Sequence, residues 1–374
     1  MNYLANVPEV LDLAKHVKAA LPGCIVFAGG HGVSFVAGHV LAQAGGAIDV
    51  VLKGEGETGA PALLAAAADR ALAEVPGAVT REGTGPPPAM AHSLDDHLPA
   101  RHLGGHRRKY FIGVMDPAAS IEFTRGCPWD CSFCSAWTFY GRSYRRLSPE
   151  AAAEDMGCIR EPGVFIVDDV AFIKAEEGDE IARQLELRKL RKQYYLETRC
   201  DVVVRNEEVF RRWRRLGLNY MFLGLEALDE EGLRAFRKRS TPKVNNKALE
   251  IARSMGLSVA INIIADPDWD EARFAFVREW ARASPRSSTS PFRRLTRAPR
   301  PGSPNPADWR RWTIACSTCS TPCSLPGCRC AVSTRSWSRP RRYWPASTSA
   351  SPRSPRPAAS WPGSLSAARR TSPG

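Results

Sequence analysis

Hydrophobic positions near the start of the chain switch between two periods. Residues 7–20 repeat apolar side chains at the spacing of an amphipathic helix, and Pro22 and Gly23 end that pattern before the apolar run 24–28. Gly29 and Gly30 follow. Then come a helical pattern over 31–44, a strand over 48–52, the loop Gly54-Glu55-Gly56-Glu57 and a helix over 60–73. Alternation of this kind predicts a parallel sheet with helices on its faces. Glycines directly after strands let backbone approach a ligand at the sheet's carboxyl edge, which makes Gly29, Gly30, Gly54, Glu55 and Gly56 candidate binding positions.

Residues 75–108 lose the periodicity and gain Pro, Gly, His and charge, as a linker does. The pattern then resumes with strands over 119–124, 164–167, 193–197, 220–225 and 258–264. Between and after them lie helices over 149–159, 179–190, 207–216, 231–238, 243–255 and 270–283. Five strand–helix units in series predict an α/β fold, a partial TIM-type barrel whose chemistry sits at the strands' carboxyl ends. Polar residues stand there each time: Asp168 and Asp169, Glu197 and Arg199, Glu226, then Asp266. Any one of these reads equally well as a helix cap or a surface ion pair. Their recurrence after every strand is what points to a shared site.

The first barrel strand runs into IEFTRGCPWDCSFCSAWTFYGRSYRR, with Cys127, Cys131 and Cys134 spaced C-x3-C-x2-C. Thiolates are soft ligands that suit iron–sulfur clusters, and three of them leave one iron of a four-iron cube open. A buried trio or a zinc site is the alternative, although a closed structural zinc site wants a fourth ligand. Trp129, Trp137, Phe139 and Tyr140 would line a dry pocket for an apolar substrate or serve as core. No histidine follows His106, so the barrel offers no imidazole base.

With Phe133 just before its third cysteine, this spacing resembles the radical S-adenosylmethionine (SAM) enzymes. The segments REPGVFIVDDVAF, RKQYYLETR, YMFLGLEALD and INIIADPDWD carry the resemblance to the hopanoid-methylating members of the cobalamin-dependent branch, over about residues 1–283. It implies a 4Fe–4S cluster on Cys127, Cys131 and Cys134, and SAM held by Phe133, Asp168, Asp169, Glu197, Arg199 and Glu226. It also implies cobalamin near Gly29, Gly30, Gly54, Glu55 and Gly56. The implied reaction is methylation of C-3 in ring A of a hopanoid. A deoxyadenosyl radical removes the hydrogen, methylcobalamin delivers the methyl group, and a second SAM recharges the cobalt. An apolar hopanoid-like substrate and a reductant such as flavodoxin or ferredoxin are the implied partners.

The expected division is a truncated Rossmann-like cobalamin-binding domain over 1–76, a linker over 77–112, the radical SAM partial barrel over 113–283 and a tail over 284–374. Only the second half of the cobalamin domain is visible. The Asp-x-His-x-x-Gly motif that can supply a cobalt ligand in related domains is absent, and His16 and His31 read as ordinary surface or core histidines.

Composition changes the picture only for the tail. The chain carries a formal +13, yet residues 284–374 hold 16 Arg, no Lys and a single acidic residue, Asp308. The remainder is close to neutral, so the basicity gives no reason to expect a nucleic-acid partner. The tail also holds Cys316, Cys319, Cys323, Cys328 and Cys330 without periodic structure. A disordered basic arm, an auxiliary metal site and a frameshift compete to explain it. Arginine without lysine favours the frameshift. One choice of synonymous codons for 287–300, read from the third base, spells a sixth apolar strand and its loop. The start shows no signal-type charged and apolar regions, and no apolar run is long enough to span a membrane. The expected location is a reducing cytoplasm, with peripheral contact at the membrane's inner face where a lipid substrate would lie.

Overall fold

The computed structural model describes residues 6–69, 71–266 and 268–283, so the tail and its cysteines lie outside the described residues. The N-terminal lobe starts with α1 (Val7–Ala20), whose Leu11 and Ala14 are buried, then β1 (Phe27–Gly29), α2 (His31–Ser34) and α3 (Ala37–Ala44). β2 (Val50–Leu52), α4 (Gly56–Ala66) and β3 (Ala78–Val79) complete it. β1 and β2 run parallel, with Phe27 opposite Val50, and β3 joins β2 antiparallel. Val51 faces Leu11, Val33, Val40 and Leu41, while Val50 and Leu52 face Leu63, Val75 and Ala78 on the other side. Burial on both faces is why these strands read as continuous apolar runs.

The helix expected over 31–44 is two helices. The chain breaks at Phe35 and Val36, and the Phe35 ring lies 5.5 Å from His31 and 6.3 Å from Phe139, contacts that a continuous helix would not require. The expected linker is also more ordered than its composition suggests. It contains β3, buries Ala91 and Leu94, and ties Arg101 to Asp155 and Arg107 to Glu161.

The second sheet is built from β4 (Ala118–Ile121) and, after the short β5 (Thr124–Arg125), α5 (Ala136–Phe139), β6 (Arg145–Arg146) and α6 (Pro149–Cys158), from β7 (Gly163–Ile166). It continues through α7 (Ala175–Leu187), β8 (Gln193–Arg199), α8 (Cys200–Arg205), α9 (Glu207–Leu216) and β9 (Leu218–Glu226). Then come α10 (Glu230–Ala235), α11 (Pro242–Ser254), β10 (Ser258–Ile263) and α12 (Glu271–Ala283). Among the described residues its order is β10-β9-β8-β7-β4, every neighbouring pair parallel. Strand order follows chain order, as strand–helix units laid down in series give. The expected α/β architecture is therefore what the chain adopts.

Local chemistry sets the helix starts. Ser148 accepts from the Ala151 amide with Pro149 in the first turn, and Thr241 accepts from Val244 with Pro242 likewise. Asp229 caps α10 through the Gly232 amide at 2.8 Å. α9 buries Val209, Phe210, Trp213 and Leu216 along one face. Trp213 is fully buried against the rings of Phe123, Phe172 and Tyr194, and its indole N–H donates to Gly178 O at 3.0 Å. This core fixes the sheet whose carboxyl ends form the site.

Candidate cofactor site

The cysteine segment is a loop with a paired neck. β5 and β6 run antiparallel, Thr124 opposite Arg146 and Arg125 opposite Arg145, so residues 126–144 leave and return at one point. Gly126 sits at φ 93, and a Cβ there would lie 2.2 Å from Ser143 O, so only glycine fits this turn. Its amide donates to Asp169 Oδ2 at 2.8 Å.

Within the loop Cys131 is buried, and Cys127 and Cys134 are half-buried. Cys131 O accepts from the Cys134 amide at 3.1 Å and from Trp137 Nε1 at 3.0 Å. Arg199, at the end of β8, is buried and stacks over Trp129 with 4.3 Å to the ring centroid. Its Nη1 donates to Cys131 Sγ at 3.6 Å, its Nη2 to Lys238 O at 2.6 Å and its Nε to Asp201 at 2.8 Å. Burial pushes the Cys127 thiol up to about 11 and raises Cys134 as well, and a neighbouring cysteine's charge adds to each shift, while the Trp129 and Ala136 amides oppose it. Among the described residues no three of His, Cys, Asp and Glu lie close enough to share one metal ion. Three thiols on one loop, one of them beside a buried guanidinium, suit a cluster that gives each thiolate its own iron.

The strand ends do not all point to open space. Asp168, after β7, is buried and accepts from the Phe123 amide and the Thr124 hydroxyl, both at 2.7 Å, so it braces the start of the neck. Burial pushes it up to about 7 against those donors, which favour its ionised form. Asp169 is raised by burial and opposed by the Gly126 amide and Arg125. Glu197 is raised by burial and accepts from the Tyr195 hydroxyl at 3.2 Å. Glu226 ends β9 at φ 66, where the pairing with β10 skips Leu225. Its Oε1 accepts from Lys238 Nζ at 2.9 Å and its Oε2 from Asn262 at 3.0 Å. Lys238 Nζ also lies 5.8 Å from the Phe133 ring centroid, and Phe133 packs edge-on against Phe236. Phe133, Glu226, Arg199 and Cys131 are thus linked through Lys238. Asp266 is exposed and accepts from the Asp268 amide within its own turn.

In the N-terminal lobe, Gly29 ends β1 and Gly30 precedes α2 at φ 106. Gly54 at φ 82 packs on Pro88, Glu55 is buried, and Gly56 opens α4 with free space around it. His31 packs as a structural histidine. It stacks on Phe139 at 4.4 Å and its Nε2 lies 2.7 Å from Ser135 Oγ, so it contacts the cysteine loop directly. Lys238, Asn262, Arg125 and Arg145 were not legible as site residues.

Residues 121–281 match the profile of the radical SAM superfamily. These residues are a radical SAM domain. The chain is 60% identical over 286 residues to hopanoid C-3 methylase from Methylococcus capsulatus, covering 76% of this chain and 56% of that one. It is 27% identical over 293 residues to the anaerobic magnesium-protoporphyrin IX monomethyl ester cyclase of Rubrivivax gelatinosus, covering 73% and 51%. The chain therefore spans about half the length of the curated relatives it matches. Among solved structures, the cobalamin-dependent SAM radical enzyme OxsB with aqua-cobalamin bound superposes with a TM-score of 0.55. At 20% identity, over 68% of this chain and 38% of that one, it shows the shared radical SAM fold.

Proposed function

We propose that this chain is a cobalamin-dependent radical SAM methyltransferase that methylates C-3 in ring A of hopanoid lipids. The observation that carries the reading is the 60% identity to a hopanoid C-3 methylase, which extends over 76% of the chain. When bound, the cluster with SAM supplies a hydrogen-abstracting radical, and cobalamin supplies a transferable methyl group.

The chain's own residues hold and orient these groups. Cys127, Cys131 and Cys134 would ligate the cluster, and Arg199 would offset thiolate charge at Cys131. Glu226, held by Lys238 and Asn262, offers carboxylate oxygens to the SAM ammonium or ribose, as do Glu197 and Asp169. Asp168 acts through Thr124 and the Phe123 amide. Phe133 packs beside the loop's last cysteine. Gly29 and Gly30 at the end of β1, and Gly54 and Gly56 between β2 and the first turn of α4, would border cobalamin. Glu55 borders the same edge but spends its carboxylate on protein partners.

The working division is a cobalamin-binding lobe over 1–76, a connector over 77–112 and a radical SAM region over 113–283. A flavodoxin- or ferredoxin-type reductant and no nucleic acid complete the set of partners. Among the described residues no helix is long and apolar enough to cross a membrane. We place the enzyme in the cytoplasm, touching the membrane peripherally to reach its substrate.

The test is product analysis in a hopanoid-producing host with the gene deleted and restored. Deletion should remove 3-methylhopanoids and restoration should return them. Anaerobically reconstituted protein should hold about four irons and release 5′-deoxyadenosine from SAM. Unchanged 3-methylhopanoids on deletion would overturn the substrate. Loss of a tetrapyrrole product instead would favour the cyclase-like reading that the 27% match supports.

A further inference from the structure

The neck of the cysteine loop is held from outside its own sheet. Arg125 and Arg145 stand directly opposite one another across β5 and β6. Like charges in that position repel, so the pair destabilises the neck unless an anion is shared between them. The anion comes from the N-terminal lobe. Arg145 donates from Nη1 to Glu55 Oε2 at 2.9 Å and from Nη2 to Glu55 Oε1, and it also reaches Ala91 O at 2.9 Å. Arg125 Nη1 lies 3.6 Å from the same Glu55 Oε1. Arg125 Nη2 donates to Glu57 at 2.8 Å and to Glu122 at 2.7 Å. The Ala91 amide completes the set, donating to Glu55 Oε2 at 2.8 Å.

The Glu55 side chain is only 3% exposed. Burial acts to raise its carboxyl, but the Arg145 hydrogen bonds, the Ala91 amide and the two guanidinium charges outweigh burial and hold it below the usual range. A two-pronged guanidinium contact fixes orientation as well as distance. Glu57, the next acidic residue of the same loop, adds a second tie to Arg125.

We propose that Glu55 is a positioning residue: its carboxylate, shared by the two facing arginines of the neck, lets the N-terminal lobe close and orient loop 126–144. This rests on the reading of that loop as the cluster loop. It assigns to the Gly54-Glu55-Gly56-Glu57 loop a mechanical role beside the ligand-binding one expected of it. Removing the carboxylate leaves the half-buried Arg145 without its anion, facing an Arg125 that keeps only Glu57 and Glu122.

The experiment is hydrogen exchange on the metal-free full chain, comparing the parent with Glu55→Gln. Exchange across 126–144 should accelerate on the order of tenfold while β8 and β9 keep their protection. An unchanged loop would overturn the proposal, and so would acceleration spread equally through β8 and β9, which signals general loosening. Adding Arg145→Gln to Glu55→Gln should cost the loop little further protection, because the pair acts as one unit; fully additive losses would also overturn it. If Glu55→Gln fails to fold, Glu55→Asp replaces it. That variant keeps the charge and shortens its reach, with the same loop-selective acceleration expected and the same two overturning results. If the parent never binds iron, the cluster reading falls, yet the exchange result on the metal-free chain still decides the role of Glu55.

Discussion

Glu226 shows how much one position is asked to hold. Its backbone is left-handed, which is costly for a side chain with a Cβ, and its carboxylate is buried. The skipped Leu225 turns Glu226 into the site, and Lys238 stabilises it there, with both side chains under a tenth exposed (6% and 7%). Lys238→Met should destabilise the fold by about 3–5 kcal/mol, because it leaves Glu226 charged and unpaired. Urea unfolding measures this, and adding Glu226→Gln should recover part of the loss; no recovery would show that the two do not act as a pair. Glu226 itself was legible, since it ends an apolar strand that reads clearly. Lys238 was not. It follows a short helix, and nothing local marks a lysine that will be buried by a partner twelve positions earlier. Cys131 and Arg199 repeat the lesson. Each stood in a visible motif, but their 3.6 Å contact arises only when two strand ends meet.

Among the elements, periodicity located all five strands of the larger sheet, and α1 and α9 at their full spans. It failed where a short tertiary contact overrides local preference. The break between α2 and α3 turns Phe35 toward His31 and Phe139, and α8 occupies a stretch to which no element had been assigned. The segment after α4 read as linker because its anchors, Asp155 and Glu161, lie on or just after α6 and are reached only in the folded chain. The β5–β6 neck is the element most exposed to a single change. Gly126→Ala puts a methyl group 2.2 Å from a backbone oxygen at a φ that disfavours any side chain. Circular dichroism should show the sheet and helices retained, while iron bound after anaerobic reconstitution falls severalfold. Full iron loading in that variant would mean the neck can open without harm.

At the scale of the whole molecule, two sheets with separate hydrophobic cores meet through the polar contacts of Glu55 with Arg145, Glu57 with Arg125 and His31 with Ser135, and through the rings of His31 and Phe35 against Phe139. Such a junction answers to pH. Glu55 is held below its usual carboxyl value, so its contribution is complete above that value and is lost as pH falls through the lowered one. Arg125 is held in its charged form, and Glu57 is lowered in the same direction as Glu55, while Glu122 also faces Arg125. Limited proteolysis of loop 126–144 should therefore accelerate in acid, and Glu55→Gln should shrink that acceleration to the part that Glu57 and Glu122 contribute through Arg125. An acid-insensitive parent would remove the carboxylate from the junction.

The direction of that junction bears on how the protein is made. Synthesis runs from the amino end, so Glu55 leaves the ribosome about seventy residues ahead of Arg125, and the small lobe has a start in folding. A cysteine loop that can close only on a lobe already in place stays open until then. Iron delivered before the lobe folds would meet three unarranged thiols, whereas iron delivered afterwards would meet a finished receptacle. On the proposed role of Glu55, the order of translation would set when the loop can first take up iron.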